Sequence, residues 1–253
     1  MSQIYPILEF DEDRQAAIDP YAVRPQKRLP QRAVACFFQE VIQRTCGRSG
    51  AKELHRLRAE HASHPIYELN HHGEPIAVFN PGVGGPLAAG WLDAVLAMGV
   101  QKVIVCGGAG ALISELRVGH VVVTSAAVRD DGTSYHYLPP GREIEVDMSV
   151  IACIEEVLRE RHVPYVVGKT WTTDAIFRET RARAARRRSE GCITVEMEAA
   201  SLLAVARFRG AQLGYLLCAG DSLAGDEWDQ RGWPEHPGRE ELFSLAVAAA
   251  ARL

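Results

Sequence analysis

The chain has 253 residues, of which 47% are hydrophobic and 24% charged, so one large domain can bury a full hydrophobic core. Its formal net charge of -4 gives no broad electrostatic attraction to nucleic acid or to an anionic membrane, and we expect neither as a partner. The composition therefore favours a protein that acts on a small molecule.

The sequence shows no targeting or membrane segment. Residues 1–14 are polar and acidic and lack the basic and apolar regions of a secretory signal, so we expect a cytoplasmic protein. The longest apolar stretch, residues 242–251, is far shorter than the ~20 residues that span a bilayer. The six cysteines form neither a C-x-x-C pair nor a Cys/His cluster, so we expect no metal and no disulfide. We also expect no cofactor.

Short apolar runs bounded by glycine, proline or charge predict strands buried on both faces. They lie at residues 33–38, 76–79, 103–106, 121–124, 165–167 and 213–218. Helical patterns lie between many of them, at residues 87–98, 149–161, 181–189, 199–209 and 240–252. This alternation predicts an α/β fold with a mostly parallel central sheet, open or closed into a distorted barrel, flanked by helices. We expect a single domain over residues 1–253, with residues 1–32 as an N-terminal extension.

Ligands of α/β sheets bind beyond the carboxyl ends of the strands, so the residues that follow each predicted strand are the candidates for a site. Those segments are residues 80–85, 107–110, 172–174 and 219–221. Glycines in the first two could present backbone N–H groups to an anion, although glycine clusters are also common at such turns for steric reasons.

Glu196 and Glu198 stand directly before the predicted helix at residues 199–209. Acidic residues at a helix N-terminus are stabilising by ~0.3–1 kcal/mol, so a purely structural role is the simplest interpretation. The third residue after Thr194 is Met197 rather than Glu or Gln, so the segment is not a capping box, and a binding role stays open.

Two further features carry charge. Asp221 follows the last predicted strand, where a carboxyl could serve as a general acid or cap the next turn. Five arginines have the spacing of a solvated helix face: Arg181, Arg183, Arg186, Arg187 and Arg188.

Taken together, these segments resemble the nucleoside phosphorylase family, which includes uridine phosphorylase, the hexameric purine nucleoside phosphorylases and the methylthioadenosine/S-adenosylhomocysteine nucleosidases. The resemblance rests on residues 82–86, 116–124, 127–134, 195–200 and 220–221, and the Glu-Met-Glu-Ala sequence is its most specific part. The earlier segments look closest to uridine phosphorylase. Asp221 falls where the purine enzymes and the nucleosidases carry their catalytic aspartate.

The resemblance implies a role for each residue in cleaving a nucleoside. Glu198 would accept hydrogen bonds from both ribose hydroxyls, with Met197 packed against the sugar and Glu196 nearby. Such a clamp holds the ribose where oxocarbenium charge develops. Asp221 would protonate the leaving base as general acid.

The base slot would be lined by Ile176, Phe177 and Val195 on the same resemblance. Residues 174–181 lack the glutamine and arginine that uridine phosphorylases use on uracil, unless Arg178 and Thr180 replace them. Purine and pyrimidine bases therefore both stay open.

The phosphate site departs from the family pattern. The family's phosphate-binding arginine and hydroxyl correspond to Val105 and Gly108, and its early glycine-and-arginine loop is absent from residues 36–41. Phosphate carries nearly two negative charges and needs N–H groups or cations. The expected substitutes are backbone N–H groups at Gly82, Gly108 and Ala109 with one of Arg24, Lys27, Arg28 or Arg58.

Three functions remain in competition. The mid-chain resemblance favours phosphorolysis to a free base and ribose 1-phosphate. Water activated by Glu40 is the alternative nucleophile, because the nucleosidases carry their glutamate just before a valine after the first strand, as Glu40 and Val41 do. A non-catalytic nucleoside-binding protein is the third possibility.

The resembled enzymes complete each active site with residues of a neighbouring subunit. We therefore expect a homo-oligomer, a dimer or a trimer of dimers, to which the segment around Arg58, His61 and His64 would contribute. The other expected partners are the nucleoside and phosphate.

Overall fold

In the computed structural model, which describes residues 5–22, 28–47, 51–60, 62–233 and 238–253, the strands form one mixed sheet. The strands are β1 Arg32–Cys36, β2 Lys52–Ala59, β3 Ala62–His71, β4 Glu74–Phe79, β5 Lys102–Ala111, β6 Val121–Asp130, β7 Glu143–Glu145, β8 Tyr165–Thr173, β9 Cys192–Glu196 and β10 Gln212–Ser222. The α-helices are α1 Gln39–Ile42, α2 Gly85–Ala97, α3 Ser134–Tyr137, α4 Met148–Glu160, α5 Arg181–Ser189, α6 Ala199–Arg209 and α7 Gly238–Arg252. A π-helical turn spans Gln43–Gly47, and 3-10 turns span Pro6–Leu8 and Ile176–Arg178.

The sheet closes on itself at β5. This strand pairs in parallel with β1 and with β10, while its last residues, Gly110 and Ala111, pair with β9. From β10 the described sheet continues through β6 and β8 to β9, which completes a barrel. Strands β1, β4, β3 and β2 extend from β5 as an open wing.

The α/β class, the flanking helices and the closure into a barrel are confirmed. The sheet is mixed because β5 with β9, β10 with β6, and the β2–β3–β4 meander pair antiparallel. The helices predicted at residues 87–98, 149–161, 181–189, 199–209 and 240–252 appear as α2, α4, α5, α6 and α7. Among the described residues, no helix combines the length and the apolar character needed to cross a membrane.

The hydrophobic core lies between the sheet and the helices α2, α4, α6 and α7. Residues 33–36 of β1 and 76–79 of β4 are fully buried, as their apolar runs predict, and Cys36, Cys106 and Cys218 are buried thiols. The run at residues 165–167 is different. Val166 and Val167 are each 42% exposed, so the prediction that this strand is buried on both faces is wrong for them. An apolar run does not reveal which of its residues the neighbouring elements will cover.

The arginine-rich helix α5 is only partly solvated. Arg187 is buried and pairs with Asp130 and Glu190, and Arg183 pairs with Asp130 as well. Arg188 donates to the backbone carbonyls of Leu112 and Leu223. The prediction of a solvated face is therefore wrong for these three arginines, which fasten α5 to the barrel, and holds for Arg181 and Arg186.

Candidate active site

A cavity of about 630 Å³ lies beyond the carboxyl ends of β1, β5, β9 and β10. This is the edge of the sheet at which the sequence places a ligand site. The residues predicted for the site that line the cavity are Gly108, Ala109, Ile176, Phe177, Val195, Glu196, Met197 and Asp221. Further lining residues include Phe37, Phe38, Glu179, Trp228, Trp233 and Arg239, for which the sequence predicts no binding role.

Trp233 packs directly on two strand ends because both carry glycine. A Cβ at Gly108 would lie 2.5 Å from the indole of Trp233, and one at Gly220 would lie 2.7 Å from it. Arg231 fastens the same segment by donating to the carbonyls of Leu116, at 2.7 Å, and of Asp221, at 2.9 Å. The segment that follows β10 therefore forms one aromatic wall of the cavity.

The carboxyl group of Glu196 is saturated with hydrogen bonds from the protein. Its Oε1 accepts from Thr172 Oγ1 at 2.6 Å, and its Oε2 accepts from the backbone N–H groups of Glu198 and Ala199 at 2.8 and 2.7 Å. Tyr215 donates to Oε2 from 3.4 Å. A carboxylate offers about four acceptor positions, so Glu196 has little capacity left for a sugar and mainly fixes the start of α6.

Glu198 is the N-cap residue of α6, and its side chain makes no capping hydrogen bond. Its Oε1 accepts from the backbone N–H of Gly84 at 2.5 Å, in the glycine turn before α2. Glu198 is 5% exposed and does not itself line the cavity, but Met197 before it does. The Glu198 carboxylate therefore has acceptor positions left for a ligand.

Burial dominates the electrostatics of these two acids. Burial, followed by the negative charge of Glu196, raises the pKa of Glu198 to about 8, against the smaller effect of the backbone N–H groups of Gly84 and Met197. Burial also raises the pKa of Glu196 to about 7, although Thr172 and the α6 backbone oppose the shift. The pair therefore carries less than two full negative charges at neutral pH.

Asp221 lies near the end of β10 and faces the cavity beside Glu179. Its Oδ2 accepts a hydrogen bond of 2.6 Å from Trp228 Nε1. The acid with a raised pKa at this end of the cavity is Glu179, for which burial is the main cause and the charge of Asp221 the second. The sequence signal for Glu179 is weak, because a single acid after the 3-10 turn has no distinctive spacing.

The expected phosphate residues are not brought together. Arg58 is exposed on β2, the outermost strand of the wing, and does not line the cavity of its own chain. Gly82 is also outside it and donates its N–H to Asn80 Oδ1 at 2.8 Å. Ala109 lines the cavity, whereas Trp233 occupies the side of Gly108 on which a side chain would lie. Within one chain, Arg58 and Gly82 therefore do not lie with Ala109 at the cavity, and their role in phosphate binding stays a prediction.

Of the remaining cations of that prediction, Arg28 is among the described residues, and it does not line the cavity. Arg28 borders a different cavity beside Lys102 and Gln212, which begin β5 and β10 at the opposite end of the sheet. Arg24 and Lys27 lie outside the described residues, as does His61.

Glu40, the candidate base for water, is paired with Arg239 at 2.9 Å and does not line the cavity. Arg239 does line it, with its guanidinium between the rings of Phe38 and Trp233. The Glu40 carboxylate is engaged by a guanidinium and lies outside the cavity lining, so this arrangement does not favour the prediction that Glu40 activates water.

The base-slot residues occupy the rim of the cavity. Phe177 is 96% exposed and Ile176 is 54% exposed, whereas Val195 is buried. Arg178 is exposed and is not a lining residue, while Thr180 lines the cavity. Of the two expected substitutes for base recognition, only Thr180 is therefore in position.

His64, which we expected at a subunit boundary, lies on β3 beside the turn that follows β4. Its Nδ1 is 3.4 Å from the carbonyl oxygen of Asn80, and its ring meets Trp91 edge-on at 4.8 Å. The described chain thus gives His64 internal contacts.

Comparison with known proteins identifies the family to which the chain belongs. A family model described as the phosphorylase superfamily matches residues 31–253. The guanosine phosphorylase of Halorubrum lacusprofundi is 27% identical over 176 residues, which cover 68% of this chain and 71% of that protein. The uridine phosphorylase of Escherichia coli is 25% identical over 170 residues, covering 62% and 67%.

Solved structures share the fold. The purine nucleoside phosphorylase of Toxoplasma gondii, in complex with immucillin-H, superposes with a TM-score of 0.76 at 19% identity, covering 88% of this chain and 91% of that one. The AMP nucleosidase of Bacteroides thetaiotaomicron superposes with a TM-score of 0.70 at 24% identity, covering 88% of each chain.

Proposed function

This chain belongs to the phosphorylase superfamily, and we propose that it cleaves the N-glycosidic bond of a ribonucleoside with phosphate, releasing the free base and ribose 1-phosphate. The proposal takes its reaction class from the guanosine and uridine phosphorylases that the chain resembles. The base is left open between purine and pyrimidine, because the described rim of the cavity consists of Thr180 and apolar side chains, which favour neither base.

The position of Glu198 is the observation that carries the proposal. Its carboxyl group is buried and accepts from Gly84, and it retains acceptor positions directly after the cavity residue Met197. Two adjacent ribose hydroxyls are donors that would complete these positions and favour the ionised form of Glu198, and the resulting carboxylate would stabilise positive charge at C1′. Glu196 then acts mainly by holding the α6 backbone that positions Glu198.

The leaving base needs a proton or a strong hydrogen bond when the bond to C1′ breaks. The family resemblance assigns this role to Asp221, which lines the cavity and accepts from Trp228. The carboxyl groups of Asp221 and Glu179 make this end of the cavity the proposed base subsite.

Arg239 is the proposed phosphate ligand, because the described residues that were first expected to bind phosphate do not lie together at the cavity. The Nε atom of Arg239 is buried and has no hydrogen-bond partner among the described residues. Because Arg239 lines the cavity, its guanidinium brings a positive charge to the wall at which phosphate would bind.

Hydrolysis is the second candidate reaction, and one observation favours it. Phe37, Phe38 and Trp233 give the cavity an apolar wall on the side of β1 and β5, where a neutral water needs less charge compensation than phosphate. Glu40 would then have to release Arg239 before it could act as the base.

Glu198→Gln tests the proposed role of Glu198 in binding the ribose. The change keeps the shape of the side chain and removes its charge, so we expect kcat/KM for an accepted ribonucleoside to fall on the order of 10²-fold or more. The wild-type preference for a ribonucleoside over its 2′-deoxy analogue should shrink in the same variant, because the carboxylate contact is lost.

Glu227→Gln is a matched control, since Glu227 is exposed and lies outside the cavity. It should leave both kinetic constants unchanged. Wild-type kinetics in Glu198→Gln would remove Glu198 from the ribose site.

A further inference from the structure

Two carboxyl groups, Glu179 and Asp221, line the same cavity from different parts of the fold. Asp221 accepts a hydrogen bond from Trp228 Nε1 at 2.6 Å, so it is already engaged as an acceptor. Glu179 follows the turn Ile176–Arg178, and among the described residues no hydrogen-bond donor or cation pairs with its carboxyl group. Its carboxyl group is therefore free to meet a ligand in the cavity.

We infer that Glu179 is the proton donor to the leaving base and that Asp221 is the carboxylate beside it, which accepts hydrogen bonds. The inference rests on the proposed function, because it requires a base that departs. It moves the general acid away from Asp221, where the family resemblance puts it, to a residue that belongs to none of the segments carrying that resemblance.

The surroundings of Glu179 favour its neutral form. Burial, followed by the negative charge of Asp221, raises the pKa of Glu179 to about 7. The other charged residues among the described lining are Glu196 and Arg239. Glu196 is occupied by the start of α6, and Arg239 is paired with Glu40 rather than with Glu179. A carboxyl that is half protonated near neutral pH is well matched to general acid catalysis.

The proposed step balances without any further reactant. The bond between C1′ and the base nitrogen breaks, and its electron pair moves onto the base. The Glu179 proton is transferred to the base, which leaves Glu179 as a carboxylate. An oxygen of hydrogen phosphate forms the new bond to C1′ and its proton passes to solvent, from which Glu179 is protonated again.

Glu179→Gln tests the inference with two substrates. The variant cannot donate the proton, so we expect kcat/KM for a ribonucleoside to fall on the order of 10²-fold or more. For 4-nitrophenyl β-D-riboside, whose leaving group departs as a stable anion, kcat/KM should stay at the wild-type value. Glu227→Gln, the same chemical change at an exposed position outside the cavity, should alter neither value.

Equal losses on both substrates in Glu179→Gln would overturn the inference, since they would indicate sugar binding or a structural role. Unchanged kinetics on both substrates would overturn it as well.

The pH profile of kcat/KM gives a second readout that a structural role would not move. A general acid works only while protonated, so the wild-type rate on the nucleoside should fall as the pH rises through about 7. This decline should be absent from Glu179→Gln, and also from the wild-type profile on the aryl riboside. A decline that persists in Glu179→Gln would assign the proton to another group.

Failure of the inference differs from failure of the proposed function. A wild-type enzyme that cleaves neither nucleosides nor the aryl riboside would overturn the proposed function, and the inference with it. A wild-type enzyme that cleaves nucleosides, with Glu179→Gln equally active on them, would overturn the inference alone.

Discussion

At the scale of single residues, Arg239 is the proposed phosphate ligand, and its replacement tests whether phosphate is the nucleophile. Its guanidinium carbon lies 5.0 Å from the ring centroid of Phe38 and 4.7 Å from that of Trp233, and one of its nitrogens pairs with Glu40. Aromatic faces stabilise a guanidinium and hold its plane in a fixed orientation. Arg239 is therefore a rigid cation at the cavity, as a phosphate site requires.

We predict that Arg239→Gln raises the KM for phosphate on the order of 10- to 100-fold, the loss expected for a hydrogen bond to a charged group. The KM for the nucleoside should change little. Steady-state kinetics with varied phosphate concentrations measure both constants.

Glu40→Gln separates the two nucleophiles in the same assay. If phosphate attacks C1′, this variant should keep kcat nearly unchanged, because phosphate needs no base. If water attacks, Glu40→Gln should cost roughly the 10²–10⁴-fold typical of a lost general base, and Arg239→Gln should show no phosphate effect.

Some of these residues could be predicted from the sequence, and others could not. Glu196, Met197 and Glu198 are contiguous and stand directly before a helix, so their pattern is visible in the sequence. Glu179 and Arg239 become site residues only when a 3-10 turn and the start of α7 meet at one cavity. That meeting is a property of the tertiary structure.

At the scale of elements, the packing of α2 against α6 places Gly84, directly before α2, within hydrogen-bonding distance of Glu198. A Cβ at Gly85 would lie 2.5 Å from Ser201 Oγ and 3.1 Å from Thr133 Oγ1. The helices approach this closely because residue 85 lacks a side chain. Gly84, one residue earlier, has φ of +93°, which favours glycine, and donates to Glu198.

Gly85→Ala should therefore separate α2 from α6, lower the free energy of unfolding by about 1–3 kcal/mol, and raise the KM for the nucleoside. Gly90→Ala on the same helix is the control. Nothing lies within 4 Å of its Cβ, so it should increase the free energy of unfolding by about 0.4–1 kcal/mol and leave the KM unchanged. Urea unfolding and nucleoside kinetics test both variants, and equal behaviour would contradict the packing argument.

The elements that the sequence predicts are those with one strong hydrophobic signal. Whereas α5 is predicted from the spacing of its arginines, helices α2, α4, α6 and α7 and the six apolar strands meet this condition. The β2–β3 hairpin does not, because it lies at the edge of the sheet and is mostly polar, with Leu57 and Ile66 as its buried hydrophobic residues among those described. Strand β9 is missed because it is short and runs directly into the Glu196 segment.

At the scale of the whole molecule, barrel closure is what assembles the site. Because β5 pairs with β1, β9 and β10, the ends of these strands meet although they are far apart in sequence. The alternation of strands and helices predicts the layers, but the closing β5–β9 contact depends on register between distant segments. The homo-oligomer stays a prediction, and Arg58, which is exposed on the edge strand β2, is the residue expected to contribute to it.

Product analysis with a panel of purine and pyrimidine ribonucleosides, each incubated with and without phosphate, distinguishes phosphorolysis from hydrolysis. We expect that cleavage of at least one nucleoside requires phosphate and yields ribose 1-phosphate with the free base in equal amounts. Release of free ribose at an undiminished rate in phosphate-free buffer would contradict phosphorolysis while keeping the family and the Glu198 clamp.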